Sequence, residues 1–219
     1  MGKFAADNWI EEKRRHTHAR METPLTPWPE LNEALDLELG RKRFAVLALP
    51  GERDGETPFC IAQRAAKSGA NPLCMFPSWS PHWDGTLNVW RPAKLPDDVD
   101  YGSLAIKNGR TGMVIIDQFS RLHWGKATTH AAREEVVAQA GQDLLMLALR
   151  ASLPVLVLLR RTKAAGLDIA DLRSDGALEY DCDVLATVDL HHRTATATLN
   201  VTKSRFGPRR VTTIGWAGR

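Results

Sequence analysis

Residues 44–57 read FAVLALPGERDGET, an apolar run followed by a turn that is rich in glycine and charge. The six apolar residues 44–49 do not alternate with polar ones, which is typical of a strand that is buried on both faces. After the turn, residues 58–67 have a helical pattern. A buried strand, a glycine-containing turn and a helix in this order predict an α/β domain with a mainly parallel sheet.

The turn has the layout of a phosphate-binding loop. In such a loop, backbone N–H groups and a helix N-terminus face the anion, a lysine reaches the outer phosphates, and a Ser or Thr hydroxyl holds Mg²⁺. Gly55 and Thr57 fit this pattern, whereas Pro50 replaces its first glycine and Glu56 replaces its lysine. The predicted nucleotide-binding residues are Gly51, Arg53, Gly55, Glu56 and Thr57.

Glu56 places a negative charge where the phosphates of a nucleotide would lie. A carboxylate about 4 Å from a phosphate charge costs roughly 4 kcal/mol at a near-surface dielectric, where a lysine would gain a similar amount. We therefore expect ATP and Mg²⁺ to bind weakly or not at all. If the chain does hydrolyse nucleotide, another cation must replace the lysine, and the candidates are Arg53, Lys42 and Arg160.

Composition sets wide bounds on the function. The chain has 219 residues and a net charge of +3, which permits a nucleic-acid partner without requiring one. No apolar run approaches the roughly 20 residues of a membrane span, and the N-terminus is polar, so we expect a cytoplasmic protein without membrane contact. Cys60, Cys74 and Cys182 lack metal-ligand spacing, which predicts reduced core thiols.

The remaining chain extends the α/β pattern. Short apolar runs that predict further strands of the parallel sheet occupy residues 72–76, 113–117, 154–159 and 184–188. Residues 130–152 have helical spacing, so helices should cover both faces of the sheet. Strict alternation over residues 195–201, a Gly-Pro turn and residues 211–216 predict a C-terminal antiparallel hairpin. Residues 77–112 lack periodicity and are predicted to be loop, with one strand at 87–90.

Asp117 ends the apolar run 113–117, which is the form of a Walker B magnesium ligand. A helix-cap or turn role explains many such aspartates, and for an isolated strand it is the more frequent explanation. Because this strand follows a loop with the layout of residues 50–57, we predict that Thr57 and Asp117 form the magnesium site.

Two further motifs point to a family. Residues 171–185 read DLRSDGALEYDCDVL and residues 201–208 read VTKSRFGP. They resemble the C-terminal ATPase domain of the DnaB-type replicative helicases, where the patterns are Asp-Leu-Arg-Glu-Ser-Gly-x-Ile-Glu-Gln-Asp-Ala-Asp and Lys-x-Arg-x-Gly-Pro. Residues 26–31 are similar to the first segment of that domain, and residues 114–119 to its Walker B strand. The resemblance covers residues 23–216 and implies a RecA-like P-loop core.

In that family the subunits form a ring, ATP lies between subunits, and loops in the central hole hold single-stranded DNA. The resemblance implies that Arg173, Ser174 and Gly176 face the DNA phosphates. A structural alternative is that Arg173 pairs with Asp175 or Glu179.

The second motif implies catalytic groups that act on a neighbouring subunit. By resemblance, Lys203 and Arg205 would reach the neighbour's γ-phosphate, where cations stabilise the charge of phosphoryl transfer. Together with Asp117 they are the predicted catalytic residues. The alternative is a solvated basic edge that discourages strand pairing.

The departures from the family concentrate on the chemistry. Besides the replacement of the lysine by Glu56, residues 76–80 lack the glutamate that is catalytic in the family. The family's glutamine after the fourth strand, which senses the γ-phosphate, falls near Leu159 or Arg160. Residues 81–112 replace the helices that in the family lie between the second and third strands. Residues 1–23 are predicted to be a basic segment or linker helix, with Trp9 and Ile10 as an anchor on an adjacent subunit, and residues 24–219 to be the RecA-like domain.

The sequence thus predicts a degenerate DnaB-like helicase domain that acts in DNA replication or its control. Its expected partners are single-stranded DNA, copies of itself or DnaB-type helicase subunits, and ATP hydrolysis should be impaired. Two alternatives remain open at this point. One is an active helicase or ATPase with a non-standard phosphate loop, and the other is a structural or inhibitory partner that does not contact DNA.

Overall fold

The computed structural model describes residues 25–36, 42–50, 56–75, 88–90, 111–117, 119, 130–161, 177–191 and 193–216. In these residues the strands are β1 (Phe44–Pro50), β2 (Pro72–Met75), β3 (Asn88–Trp90), β4 (Met113–Asp117), β5 (Val155–Arg161), β6 (Val184–His191), β7 (Thr196–Ser204) and β8 (Val211–Gly215). The helices are α1 (Pro29–Leu35), α2 (Glu56–Lys67), α3 (His130–Ala151) and α4 (Ala177–Asp181). The predicted segment 1–23, with its anchor of Trp9 and Ile10, lies outside the described residues, as does most of 77–112.

The described strands form one mixed sheet in the order β3-β2-β4-β5-β1-β6-β7-β8. β1 to β6 are parallel to one another, and β7 is antiparallel to both β6 and β8. The predicted parallel sheet and C-terminal antiparallel hairpin are therefore confirmed. The short strand predicted at residues 87–90 is also present and lies at the far edge of the sheet.

Helices cover both faces of this sheet, as predicted. α1 and α2 pack on the face that contains Ala45, Leu47 and Leu49 of β1. α3 and α4 pack on the opposite face, which contains Phe44, Val46 and Ala48. Because β1 is buried on both sides, its apolar residues form a continuous run instead of alternating.

α2 begins two residues earlier than the proline signal indicated. The sequence predicts a start at Pro58, but the helix begins at Glu56. Proline is tolerated in the first turn, because the N–H groups there have no partner within the helix. A glutamate at the first position also interacts favourably with the helix dipole.

Buried cysteines were predicted, and two of the three are buried. Cys74 and Cys182 lie in the core as free thiols, and Cys60 is half-buried. Burial raises the pKa of the Cys182 thiol to about 12 and also raises the pKa of Cys74. Both thiols therefore stay protonated at neutral pH and behave as small apolar groups.

The segment before α1 is held by one buried amide. Asn32 Oδ1 accepts hydrogen bonds from the N–H groups of Leu25 at 3.2 Å and Thr26 at 2.7 Å. Its Nδ2 donates to the carbonyls of Thr26 at 3.0 Å and Trp28 at 3.1 Å. This network positions Trp28, whose ring stacks on that of Trp216 with centroids 3.9 Å apart and an interplanar angle of 5°.

Charged contacts connect the same end of the domain to the turn between β7 and β8. Arg210 pairs with Glu33 of α1 at 2.8 Å. Arg43 pairs with Asp36, the left-handed residue that ends α1, and its guanidinium lies 3.8 Å from the centroid of the Phe206 ring. The turn is thus fixed against α1 by ion pairs and a cation–π contact.

The start of β4 approaches the turn after α2 very closely. The N–H of Gly112 donates to the carbonyl of Ala70 at 2.7 Å. A Cβ at Gly112 would lie 2.3 Å from that carbonyl oxygen, a distance that backbone atoms cannot accommodate without moving.

We expect Gly112→Ala to lower the free energy of unfolding by about 3 kcal/mol, because the methyl group both clashes and separates the hydrogen-bonded backbones. For a chain of this size the midpoint of thermal unfolding should fall by about 6–12 °C. The matched control is Gly215→Ala in β8, where a Cβ would meet nothing within 4 Å. Equal unfolding midpoints for the two variants, measured by circular dichroism, would contradict the close approach.

Candidate functional site

The carboxyl ends of the parallel strands meet at one edge of the sheet, where α/β domains bind ligands. β1 ends at Pro50 and α2 begins at Glu56, so residues 51–55 connect a central strand to a helix N-terminus. The predicted strand and helix on either side of the loop are confirmed. Gly51, Arg53 and Gly55 lie outside the described residues, and Glu56 and Thr57 are described by their backbone as the first two residues of α2.

Asp117 lies at the same edge. It is the last residue of β4 and is 5% exposed. β5 separates β4 from β1, and Asp117 is opposite Leu158, which in turn is opposite Leu47. Asp117 is therefore about 10 Å from Pro50 along the strand direction and about 10 Å across two strand spacings. This geometry is compatible with the predicted magnesium site of Thr57 and Asp117, which stays a prediction.

The register also separates the candidates for a replacement cation. Arg160 of β5 is opposite Leu49, one strand spacing of about 4.8 Å from the end of β1. Lys42 precedes β1, and eight residues of extended chain, about 26 Å, separate it from Pro50. This distance is much longer than a lysine side chain, so Lys42 cannot reach the loop of its own chain.

Lys203 and Arg205 lie at the opposite, amino edge of the parallel strands. Ser204, between them, is opposite Val184, and Val184 is opposite Ala45 near the start of β1. Five residues of extended chain, about 16 Å, separate this level from the end of β1. Their backbones are thus at the far end of β1 from the phosphate loop, so a contact with nucleotide would have to be made with another subunit.

Both cations have partners within the chain. Lys203 Nζ donates to the carbonyl of Glu179 and, at 3.0 Å, to that of Tyr180. Arg205 Nη2 donates to the same Tyr180 carbonyl at 3.0 Å, and Nη1 lies 3.4 Å from Asp183 Oδ1. These carbonyls are at the C-terminus of α4, where helix carbonyls lack partners within the helix.

These contacts bear on the alternative in which Lys203 and Arg205 form a solvated basic edge. Lys203 and Arg205 bind the end of a helix, although the Arg205 side chain is still 43% exposed. Burial raises the pKa of Asp181, the last residue of α4, while the charges of Lys203 and Arg205 act in the opposite direction. The basic pair therefore has a structural role that sequence alone did not indicate.

Asp183 contacts the predicted site residues but was not among the residues predicted from the sequence. The residue is 4% exposed, and its carboxylate accepts a hydrogen bond from the N–H of Phe44 at 2.9 Å and lies beside Arg205. It thereby connects the start of β1 to the basic pair. Its position as the final aspartate of the quoted motif at residues 171–185 was the available signal.

The predicted DNA-binding residues Arg173, Ser174 and Gly176 lie outside the described residues, immediately before α4 begins at Ala177. The structural alternative, in which Arg173 pairs with Asp175 or Glu179, also involves residues outside the described part of the chain and stays open. In the parts of the chain that the structure describes, no group of three or more His, Cys, Asp or Glu could hold a metal ion. Nor is any described helix long and apolar enough to cross a bilayer.

No family model and no curated protein match this sequence. Among solved structures, it is similar to "ATPase Domain of G40P", with 14% identity, 96% of this chain and 94% of that chain covered, and a TM-score of 0.68. It is also similar to "The Structure Of A DnaB-Like Replicative Helicase And Its Interactions With Primase", with 17% identity and a TM-score of 0.66. That match covers 93% of this chain and 62% of the helicase, so this chain spans about three fifths of that protein's length. The chain therefore has the fold of DnaB-like helicase ATPase domains, which confirms the fold that the resemblance implied.

Proposed function

We propose that this chain is a degenerate DnaB-like helicase domain that acts in DNA replication or its control through binding rather than through ATP turnover. Its partners would be single-stranded DNA, DnaB-type helicase subunits or copies of itself. The observation that carries the proposal is Glu56 at the first residue of α2, directly after the loop that follows β1. The shared fold supports a helicase-related role for such a protein.

Glu56 disfavours nucleotide in two ways. Its charge repels phosphate, and at the first position of α2 it partly neutralises the helix dipole that would attract an anion. The residues at this edge therefore do not fit ATP in the manner of a normal phosphate loop. For this reason we derive no hydrolytic step at this chain's own site.

A mixed assembly is the concrete form of the proposal. Lys203 and Arg205 would complete the ATP site of an intact neighbouring subunit, since a cation supplied in trans can raise the rate of phosphoryl transfer by about 10³-fold or more. Their position at the amino edge supports this arrangement, because the loop of their own chain is at the other end of β1. To act there, they would have to exchange some of their contacts with α4 for contacts with the neighbour.

Complementation tests the mixed assembly. An intact DnaB-type helicase that lacks its own trans-acting arginine is mixed with this chain, and ATP hydrolysis and the mass of the complex are measured. We expect this chain to show no hydrolysis alone and to restore it in the mixture. Arg205→Ala should reduce the restored rate by at least about tenfold, because each such site depends on the arginine. Arg205→Lys, which keeps the charge, should retain part of the rate.

The matched control is Arg209→Ala, an exposed arginine on the same turn, which should leave the restored rate within about twofold of wild type. Circular dichroism of each variant separates a folding defect from a lost trans contact. Hydrolysis by this chain alone at the rate of an intact helicase would contradict the proposal.

One observation favours the alternative of an active ATPase. Arg160 is opposite Leu49 in the register of β5 and β1, so the backbone of a basic residue is one strand spacing from the strand that leads into the loop. Under this alternative, Arg160→Ala or Arg53→Ala would abolish a genuine ATPase signal. Under the third possibility, a partner without DNA contact, oligo-dT binding would be undetectable even at low salt, where phosphate contacts are strongest.

A further inference from the structure

β8 is the last strand on its side of the sheet. Its inner edge is bonded to β7, where Val201 N–H donates to the Arg210 carbonyl at 2.8 Å and Trp216 N–H donates to the Ala195 carbonyl at 2.9 Å. Within the described residues, no further strand pairs with its outer edge. An edge strand of this kind has backbone donors and acceptors that can template another strand.

The register identifies which residues carry those groups. In an antiparallel pair, hydrogen-bonded and non-bonded positions alternate. Since Arg210 and Trp216 are bonded positions, Thr212 and Ile214 also turn their N–H and C=O groups toward β7. The residues whose backbone groups face outward are Val211, Thr213 and Gly215.

The solvent-facing side of β8 is open at the same three residues. Val211 is 68% exposed, Thr213 is exposed, and a Cβ at Gly215 would meet no atom within 4 Å. A neighbouring strand could therefore pack its side chains beside this surface without displacing any described group. Val211 adds an apolar contact at the start of the strand.

Charge at this edge favours one class of occupant. Arg209 is exposed immediately before β8, and Arg193 is exposed on the turn before β7, beside the end of β8. Arg205 is directed away from this edge, toward Tyr180 and Asp183 on the β6 side, and Arg210 is paired with Glu33. Basic residues next to an edge strand disfavour pairing with a second copy of that edge, because like charges would meet. The same residues attract a strand that carries carboxylates.

We propose that the outer edge of β8 binds an extended acidic segment of a partner protein by β-strand addition. The partner's backbone would pair with Val211, Thr213 and Gly215, and its carboxylates would lie near Arg209 and Arg193. Backbone pairing supplies affinity in this mode of recognition, and side chains supply selectivity. This inference is independent of nucleotide binding and of the proposed helicase-related role.

A synthetic peptide tests the proposal directly. The probe is fluorescein-labelled acetyl-Glu-Val-Thr-Val-Thr-Val-Glu-Glu-amide, and its binding is followed by fluorescence anisotropy. Thr213→Pro removes an outward N–H without removing a bond to β7, a replacement that edge strands tolerate. We expect it to weaken peptide binding by at least about tenfold, the loss of roughly one backbone hydrogen bond and its alignment. Thr213→Val, which keeps the N–H, should bind within about twofold of wild type.

Two further measurements keep the outcome independent of folding defects in Thr213→Pro. A probe that is N-methylated on its bonding edge should lose binding to the wild-type protein, and the same sequence with lysine in place of glutamate should bind at least about tenfold more weakly. Hydrogen exchange of the free protein should show fast exchange at the Thr213 amide and protection at Thr212 and Ile214.

The following results would overturn the proposal. Protection of Thr213 equal to that of Ile214 in the free protein would mean that another part of the chain covers the edge. Dissociation of a dimer by Thr213→Pro would identify a second copy as the occupant. Equal binding of the acidic probe by Thr213→Pro and Thr213→Val, or its full displacement by oligo-dT, would reduce the interaction to unspecific charge attraction.

Discussion

Glu56→Lys is expected to tighten the binding of ATP with Mg²⁺ by about a hundredfold. The substitution reverses one charge at the start of α2, where each unit interacts with a phosphate about 4 Å away by up to roughly 4 kcal/mol. Solvent and salt screen much of this electrostatic energy. We expect a net gain of about 2.7 kcal/mol in binding free energy, which corresponds to the hundredfold change in affinity. Isothermal titration calorimetry with a non-hydrolysable ATP analogue measures the change.

The controls separate local charge from net charge. Glu56→Gln removes the repulsion without adding a cation and should give about half of the effect in free energy, or about tenfold. Glu30→Lys makes the same change of net charge in the first turn of α1, a helix that does not follow the loop, and should leave affinity unchanged. Wild-type affinity equal to that of Glu56→Lys would mean that Glu56 does not face the nucleotide.

Trp216→Ala is expected to lower the free energy of unfolding by about 4 kcal/mol, within the range found for large buried aromatic residues. Trp216 directly follows β8, is 8% exposed and stacks on Trp28. Its removal leaves a cavity and also exposes Trp28, which the Asn32 network has already positioned. The midpoint of thermal unfolding should fall by about 8–16 °C, and urea titration followed by far-ultraviolet circular dichroism measures the free energy.

A double-mutant cycle assigns the effect to the pair. Trp28→Ala and Trp216→Ala should together cost less than the sum of the two single changes, by about 1 kcal/mol, because each single change already removes the stack. Trp216→Phe keeps an aromatic ring and should cost less than half as much as alanine. Strict additivity of the two alanine variants would show that the rings do not stabilise one another.

Much of the fold could be predicted because its signals are local. The strands at 44–49 and 113–117 are continuous apolar runs, and the alternation at 195–201 fixes an antiparallel strand with one exposed face. The start of α2 was predicted two residues late, since Pro58 was interpreted as the first residue of the helix and proline is also accepted later in the first turn.

The contacts that hold the domain together were less accessible from sequence. Gly112 reads as the end of a loop, and its contact with Ala70 depends on how β4 meets the turn after α2. Likewise, the motif around Lys203 suggested trans action but not its bonds to the carbonyls of α4, because a backbone acceptor has no signature in the sequence. Tertiary placement decides such partners, and residue type alone does not.

The separation of the basic pair from the phosphate loop has a consequence for stoichiometry. Subunits that join head to tail present one contributing end and one receiving end, and they close into rings or grow into open chains. Under the proposed function, this chain would supply its basic pair to a neighbouring ATP site normally, but its own phosphate loop would bind nucleotide poorly. One copy would then act as a terminator, so the amount needed to block assembly would scale with the number of growing ends and not with the number of subunits.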